Sequence, residues 1–225
     1  MFRIKILALW LVFACSLTLS TTAQAVDPKT SEEAVAALEG FYASVQSMQA
    51  NFVQITRQPS MGIEEEQRGQ LILKRLRKMR WDFTRPDKRL FVTDGQQMWI
   101  HSPEDNQVIH YKDVAGMSSG GIDSLLSEMD KLSESFTVVL DLDPKSTTMG
   151  HFGLKLTPKV EAPFKSLYLE VNKRKLTLKR VLVVDTFDNE TELRFSAVKV
   201  NVDVADTMFQ FEVPAGAELI QPDAL

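Results

Sequence analysis

The hexapeptide Lys78-Met79-Arg80-Trp81-Asp82-Phe83 alternates charged and apolar side chains without a break. A half-buried strand has this period of two, because successive side chains leave opposite faces of the chain. One face carries Met79, Trp81 and Phe83, and the other carries Lys78, Arg80 and Asp82. A core face this apolar needs partners, so the same alternation should recur along the chain.

It does, in Phe152/Leu154/Leu156, Leu167/Leu169/Val171, Leu193/Phe195/Ala197 and Phe209/Phe211/Val213, each bounded by turn-forming residues. Further short runs lie at 69–76, 89–93, 97–101, 107–111, 136–142 and 176–185. Many short strands, almost all able to join by hairpins, predict one large antiparallel sheet that is strongly curved or barrel-like. Crossover helices for a parallel sheet are missing. Two stretches have a helical period instead. Ala34, Val35, Leu38, Phe41, Tyr42 and Val45 follow an N-cap candidate at Thr30 or Ser31, which predicts a helix over 30–47. Within 112–135, the glycines and serines of 116–121 lead into Ile122, Leu125, Leu126, Met129 and Leu132 at helical spacing. Both apolar helix faces must cover the inner face of the curved sheet. The fold expected is mainly β, an open, unclosed antiparallel barrel with a helical lid.

Of the 225 residues, 44% are apolar and 25% charged, and there are only 10 Gly, 9 Pro and one Cys. That profile excludes disorder, collagen-like repeats and a disulfide scaffold. Arg3 and Lys5 precede an apolar run from Ile6 to Leu19, and Ala23-Gln24-Ala25 has the form of a signal-peptidase site. Residues 1–25 therefore read as a cleaved export signal and 26–225 as a single domain. The 200 residues that remain hold 24 basic and 30 acidic groups, a net charge of −6 that argues against nucleic acid as partner. Val12-Phe13-Ala14-Cys15 partly resembles a lipobox, but Phe13 is bulky there and the apolar run continues through Leu17 and Leu19. Cleavage after Ala25 leaves no thiol, and with it no disulfide, thiol catalysis or cysteine metal site.

The residues supply no catalytic constellation and no cofactor motif. His101, His110 and His151 form no metal-ligand spacing, although the first two are candidates to face each other across a hairpin. Ser118-Ser119-Gly120-Gly121 is not a nucleophile elbow. Glu64-Glu65-Glu66 reads as a solvated loop. Lys74, Arg75, Arg77, Lys78 and Arg80, followed by Arg85, Lys88 and Arg89, are either outward strand residues or a positive patch suited to an anionic surface or acidic partner. Arg75 stands apart, because it falls in phase with Leu71 and Leu73 on one strand face. An inward guanidinium at the rim needs acceptors, which the free C-terminal carbonyls of a lid helix could supply, making Arg75 a latch.

Gly69-Gln70-Leu71-Ile72-Leu73-Lys74-Arg75, Met79-Arg80-Trp81, Pro86-Asp87 and Val92-Thr93-Asp94-Gly95 with Met98-Trp99 resemble the LolA family of periplasmic lipoprotein carriers. The likeness extends to Ser47-Met48-Gln49-Ala50-Asn51-Phe52-Val53-Gln54, to Leu156-Thr157-Pro158-Lys159 and to the ending Phe209–Gly216, in unbroken order. It implies an open antiparallel barrel with helices as a lid over a hydrophobic cavity, and an arginine at the rim that hydrogen-bonds the lid and holds the empty form closed. Arg75 occupies that position. Leu76 stands where the family often has proline.

The implied activity is binding and transfer without bond making. A soluble, monomeric periplasmic chaperone would take triacylated lipoproteins from an inner-membrane LolCDE-type ABC transporter and hand them to an outer-membrane LolB-type receptor, with neither cofactor nor metal. The expected cavity lining is Phe52, Leu71, Leu73, Met79, Trp81 and Phe83 on the first strands, then Phe91 and Met98, and Ile122, Leu125, Leu126 and Met129 in the lid. Met79, Met98, Met117 and Met129 would supply adaptable surface. Two alternatives stay open at this level: a LolB-type receptor anchored through a lipidated Cys15, and a LolA-like carrier or sensor of another lipid.

Overall fold

A computed structural model describes residues 25–114, 125–126, 128–141 and 147–222. Residues 1–24 of the segment that reads as an export signal, with Cys15, and also Met117 and Ile122 lie outside them. The first helix, α1 (Ser31–Ser44), starts where Thr30 leaves helical geometry and its hydroxyl accepts the Glu33 N–H at 3.2 Å. Val45 returns to extended backbone, and so α1 stops short of residue 47. Its buried stripe is Ala34, Leu38 and Tyr42, one residue per turn.

Twelve strands form one sheet. They are β1 (Ser47–Gln58), β2 (Ile63–Lys74), β3 (Lys78–Arg85), β4 (Arg89–Thr93), β5 (Met98–Ser102), β6 (Gln107–Tyr111), β7 (Phe136–Asp141), β8 (His151–Pro158), β9 (Phe164–Asn172), β10 (Leu178–Asp185), β11 (Glu190–Val200) and β12 (Glu218–Ile220). Their order is β12-β6-β5-β4-β3-β2-β1-β11-β10-β9-β8-β7, an unclosed sheet with β12 and β7 as its edges. Every pairing is antiparallel except β12 with β6. The chain meanders outward from β1 to β6, crosses to β7, and meanders back until β11 pairs with β1.

Register assigns the faces. Met48, Ala50 and Phe52 pair with Leu73, Leu71 and Gly69, which pair in turn with Met79, Trp81 and Phe83. These rows, with Phe152, Leu154, Leu167, Leu169, Leu193 and Phe195 from the returning strands, form the concave face and the main core, under Ala34, Leu38 and Tyr42 of α1. Gly69 is required there. A Cβ at this position would lie 2.1 Å from the Asp82 carbonyl oxygen and 2.8 Å from the Phe52 ring, which is edge-on to both Trp81 and Phe83. Because one obstacle is backbone, Gly69→Ala should cost about 2 kcal/mol through overpacking. Denaturant unfolding checks this, and a loss within about 0.5 kcal/mol would show that the Phe52 ring has room to yield.

Four sequence expectations need correction. Phe209, Phe211 and Val213 are not a strand: Asp206–Phe209 is a 3-10 turn, and irregular chain follows as far as β12. Phe209 and Phe211 pack with Val202, Val204, Val92, Ile72, Leu90 and Trp99 in a second apolar cluster on the convex face, which places the C-terminal segment outside the sheet. Alternation in β11 breaks at Ala197, whose φ of 51° marks a bulge opposite Ala50, so Val198 and Val200 turn inward and Ala197 is exposed. Glu64-Glu65-Glu66 lies within β2, not in a loop. The second lid segment is not one continuous helix in its described part. Leu125 and Leu126 are helical, Met129–Lys131 is a 3-10 turn and Leu132–Ser135 (α2) a single α-turn, because Glu128 (φ −122°, ψ 24°) and Lys131 (φ −139°, ψ 27°) leave helical geometry. A segment this short takes its shape from tertiary contacts more than from propensity. No helix among the described residues is long and apolar enough to cross a membrane.

Candidate functional site

Arg75 lies one residue beyond β2, in the three-residue turn that joins it to β3, and so not on the strand face where phase put it. Leu76 and Arg77 hold φ of 69° and 62°. Proline is fixed near −65°, so it could not take the backbone that Leu76 has here. The β4–β5 turn closes on this hairpin, with the Leu76 carbonyl oxygen 2.3 Å from where a Gly95 Cβ would sit, and Gly95 itself has φ of 94°. The Arg75 N–H donates to the Gln46 carbonyl at 2.9 Å, fixing the start of its side chain.

The guanidinium then reaches the end of α1. Nε donates to the Val45 carbonyl at 2.9 Å, while Nη2 donates to Tyr42 at 2.9 Å and Ala43 at 2.8 Å. These carbonyls are the groups that a helix terminus leaves without intrahelical partners, at the negative end of its dipole. Nη1 adds an ion pair with Asp130 at 3.3 Å. One side chain therefore joins the β2–β3 hairpin, α1 and the second lid segment. The rest of the lid is tied at its rim. Ser133 N–H donates to Glu39 at 2.7 Å, Lys159 to the Ser133 carbonyl at 2.6 Å, and Leu140 N–H to the Ser31 hydroxyl at 2.9 Å.

Beneath Arg75 is a cavity of about 140 Å³ lined by Tyr42, Met48, Leu73, Met79, Leu126 and Met129. That is room for one benzene-sized guest. Burial pushes the Tyr42 phenol well above its ordinary range, and the Leu178 N–H donating to it at 3.4 Å only partly opposes this. Tyr42 thus stays neutral in the lining.

Of the residues singled out in the sequence, Leu73, Met79, Leu126 and Met129 line this cavity. Phe52, Leu71, Trp81 and Phe83 are buried on the same concave face, and Leu125 is buried in the lid. Phe91 pairs with Trp81, and Met98 with Thr93, so both face inward while half-buried. Met48 was readable from its phase with Ala50 and Phe52. Asp130 carried no sequence signal.

Lys74, Arg75, Lys78 and Arg80 of the basic cluster turn to the chain itself, while Arg85, Lys88 and Arg89 are exposed. Lys74 donates to the Val204 carbonyl at 2.7 Å and to Asp206 at 2.6 Å, Lys78 pairs with Asp206 at 3.2 Å, and Arg80 donates to the Met208 carbonyl at 3.3 Å. Hydrogen bonds from Lys74 and then Lys78 hold the Asp206 carboxyl below its usual range. These bonds anchor the C-terminal segment to the convex face. The histidines do not meet. His110 stacks on Trp99 with centroids 5.0 Å apart, His101 lies 5.5 Å from Phe211, and His151 approaches Glu170. Burial, then the nearby Lys112, lowers the His110 pKa. Among the described residues, no cluster of three His, Cys, Asp or Glu could hold a metal ion.

Residues 43–212 match the family model described as "Outer membrane lipoprotein carrier protein LolA". The outer-membrane lipoprotein carrier protein of Hahella chejuensis is 33% identical over 189 residues, which is 83% of this chain and 88% of that protein. The carrier of Methylibium petroleiphilum is 29% identical over 212 residues, or 94% and 96% of the two chains. In fold alone, the crystal structure of an uncharacterized conserved protein from Thermus thermophilus superposes with a TM-score of 0.55 at 12% identity, over 85% of this chain and 98% of that one. A match that runs from the end of α1 through β11 to the convex-face segment takes in eleven of the twelve strands, the Arg75 turn and the second lid segment, and the chain belongs to the LolA family.

Proposed function

We propose that this chain is a soluble periplasmic chaperone that takes up the acyl chains of lipoproteins leaving the inner membrane and carries them to the outer membrane. One observation carries this reading: an apolar concave sheet is shut under two lid segments that a single half-exposed arginine ties to the β2–β3 turn. At roughly 0.8 kcal/mol per buried CH₂, exposing three acyl chains to water would cost on the order of 30 kcal/mol, so unassisted passage between membranes is excluded. A cavity of about 140 Å³ holds no such chain, so loading requires the lid to move off the sheet. Apolar lid undersides and polar rim contacts suit that motion, because opening breaks only a few half-exposed hydrogen bonds.

In this reading, residues 1–25 are the export signal and 26–225 a single carrier domain acting as a monomer. The donor is a LolCDE-type ABC transporter of the inner membrane, and the acceptor a LolB-type receptor of the outer membrane. Arg75 is the latch. Leu71, Leu73, Met79, Met98 and the aromatic rings of β1, β3 and β4 receive the chains, with Leu125, Leu126, Met129 and Ile122 closing over them. No step makes or breaks a covalent bond.

The test is release from the donor membrane. Purified protein added to spheroplasts making a labelled triacylated lipoprotein is expected to bring label into the soluble fraction as a one-to-one complex. Label that stays with the membrane, alongside a protein that purifies with another lipid in its cavity, would overturn the lipoprotein assignment.

A further inference from the structure

Among the described residues, one buried side-chain donor finds no acceptor: Nε1 of Trp81. The residue is 7% exposed, and indole nitrogen is a donor only, so nothing but an incoming acceptor can satisfy it. Buried polar groups are nearly always paired, and an exception calls for a reason. Packing does not supply one. The rings around Trp81 are phenyls: Phe52 edge-on at 4.9 Å, Phe83 stacked at 6.4 Å, and Phe91 as its register partner on β4. A phenylalanine at 81 would suit the same apolar company with no donor to desolvate.

Position gives the donor a use. Trp81 is two residues along β3 from Met79, which lines the cavity, and side chains at that spacing share a face. It also marks a boundary on the concave sheet. Ala50 and Leu71 on its β1–β2 side are buried, while Phe91, Ile100 and Ile109 on its β4–β6 side are only half-buried. Hydrocarbon entering this face offers no acceptor. The carbonyl joining each acyl chain to its head group does, and it is the strongest acceptor that travels inward with the chain.

The geometry points to Trp81 as a specificity residue whose indole N–H donates to an acyl carbonyl of the bound cargo, ester or amide. This rests on the carrier reading above. The empty form then carries an unpaired donor that loading pairs, so the site favours acylated lipid over plain hydrocarbon of equal length. The recognition is of linkage chemistry and is blind to the protein attached, as a carrier of many lipoproteins requires.

Two synthetic lipopeptides of equal chain length test this, one with two ester-linked acyl chains and one in which each ester group is replaced by two methylenes. The ester ligand is expected to bind Trp81→Phe about tenfold more weakly than wild type, and the hydrocarbon-linked ligand equally to both, because only the ester offers the indole N–H an acceptor. Equal losses for both ligands would mean Trp81 contributes packing alone and would overturn the proposal. Should neither ligand bind the wild-type protein, the carrier reading falls and this one with it; binding of both with no difference sinks only the role of Trp81. A second measurement needs no variant at position 81. In a Trp99→Phe background of residues 26–225, where Trp81 is the one remaining indole, its N–H Raman band should move to its hydrogen-bonded position with the ester ligand and stay put with the hydrocarbon-linked one. An unmoved band in a loaded protein would also overturn the proposal.

Discussion

Arg75→Leu should bind lipopeptide more tightly than wild type and hand it on poorly. Wild-type Arg75 makes three hydrogen bonds to carbonyls at the end of α1 and one ion pair to Asp130, and the proposed latch requires that opening the lid break them. Its side chain is 40% exposed, so water replaces part of each contact on opening, and the four together favour closure by about 2 kcal/mol. Removing them shifts the balance toward the open form by about 30-fold. Apparent affinity is intrinsic affinity reduced by the fraction of competent molecules, so the ceiling on the gain in cargo affinity is that same factor. The gain appears as slower release, because closure no longer helps to expel the chains. Arg75→Lys keeps the charge but loses the planar fork that spans several carbonyls, and should fall between the two. Asp130→Asn removes the ion pair alone and should change affinity by less than fivefold, for less than about 1 kcal/mol. Titration with a diacyl lipopeptide, followed by transfer to receptor-bearing membranes, reads both quantities. Wild-type affinity with wild-type transfer in Arg75→Leu would remove the latch from the mechanism.

The concave face was legible because burial on one side of a strand writes itself as a period of two, and Met79, Trp81 and Phe83 keep that period without interruption. The cap of α1 was legible for a similar reason, since Thr30 is one of the few residue types whose side chain can hold a helix start. Other features left no such trace. At Ala197, an alanine with φ of 51° inserts one extra residue and reverses the phase of β11, and nothing in its identity announces this. Phe209, Phe211 and Val213 do alternate, yet alternation cannot say whether apolar residues face the inside of the sheet or lie across its outer surface. The lysines that hold this segment in place, Lys74 and Lys78, read equally as outward strand residues or as a positive patch until the position of Asp206 is known. Arg75 shows both sides. Its need for helix-end carbonyls followed from the chemistry of guanidinium, but its place in a turn depends on positive φ at Leu76 and Arg77, residues that rarely adopt it. Asp130 meets Arg75 only through tertiary structure.

Glu192→Gln should unfold more readily at neutral pH and no more readily than wild type in acid. On the convex face, Arg180 of β10 and Arg194 of β11 are direct register partners, and Arg57 of β1 joins them. Like charges opposite one another across a pair of strands are destabilising. Glu192, 5% exposed, resolves the conflict: Arg194 donates to it at 2.8 Å, Arg57 at 3.0 Å, and Arg180 lies 3.8 Å away. Burial pushes the Glu192 carboxyl up, but hydrogen bonds from Arg194 and Arg57 outweigh it and leave the group below its ordinary range. A carboxylate held low stabilises the fold above the unfolded value, about 4.3, and that stability drains away as pH falls through the lower folded value. The amide mimics the protonated state at every pH. It takes the carboxylate from Arg194, while Arg57 keeps Glu64 at 2.8 Å and Arg180 keeps Glu170 at 3.4 Å, and although a buried pair broken from one side costs about 3–5 kcal/mol, these retained partners and side chains that are 30–51% exposed reduce the loss to about 2 kcal/mol at pH 7. The difference from wild type should shrink through the region below pH 4.3 and vanish once Glu192 is protonated. Denaturant unfolding of both proteins across that range decides it: an equal deficit at both ends would mean the amide merely packs badly, and no deficit at pH 7 would mean the arginines have water enough without their carboxylate.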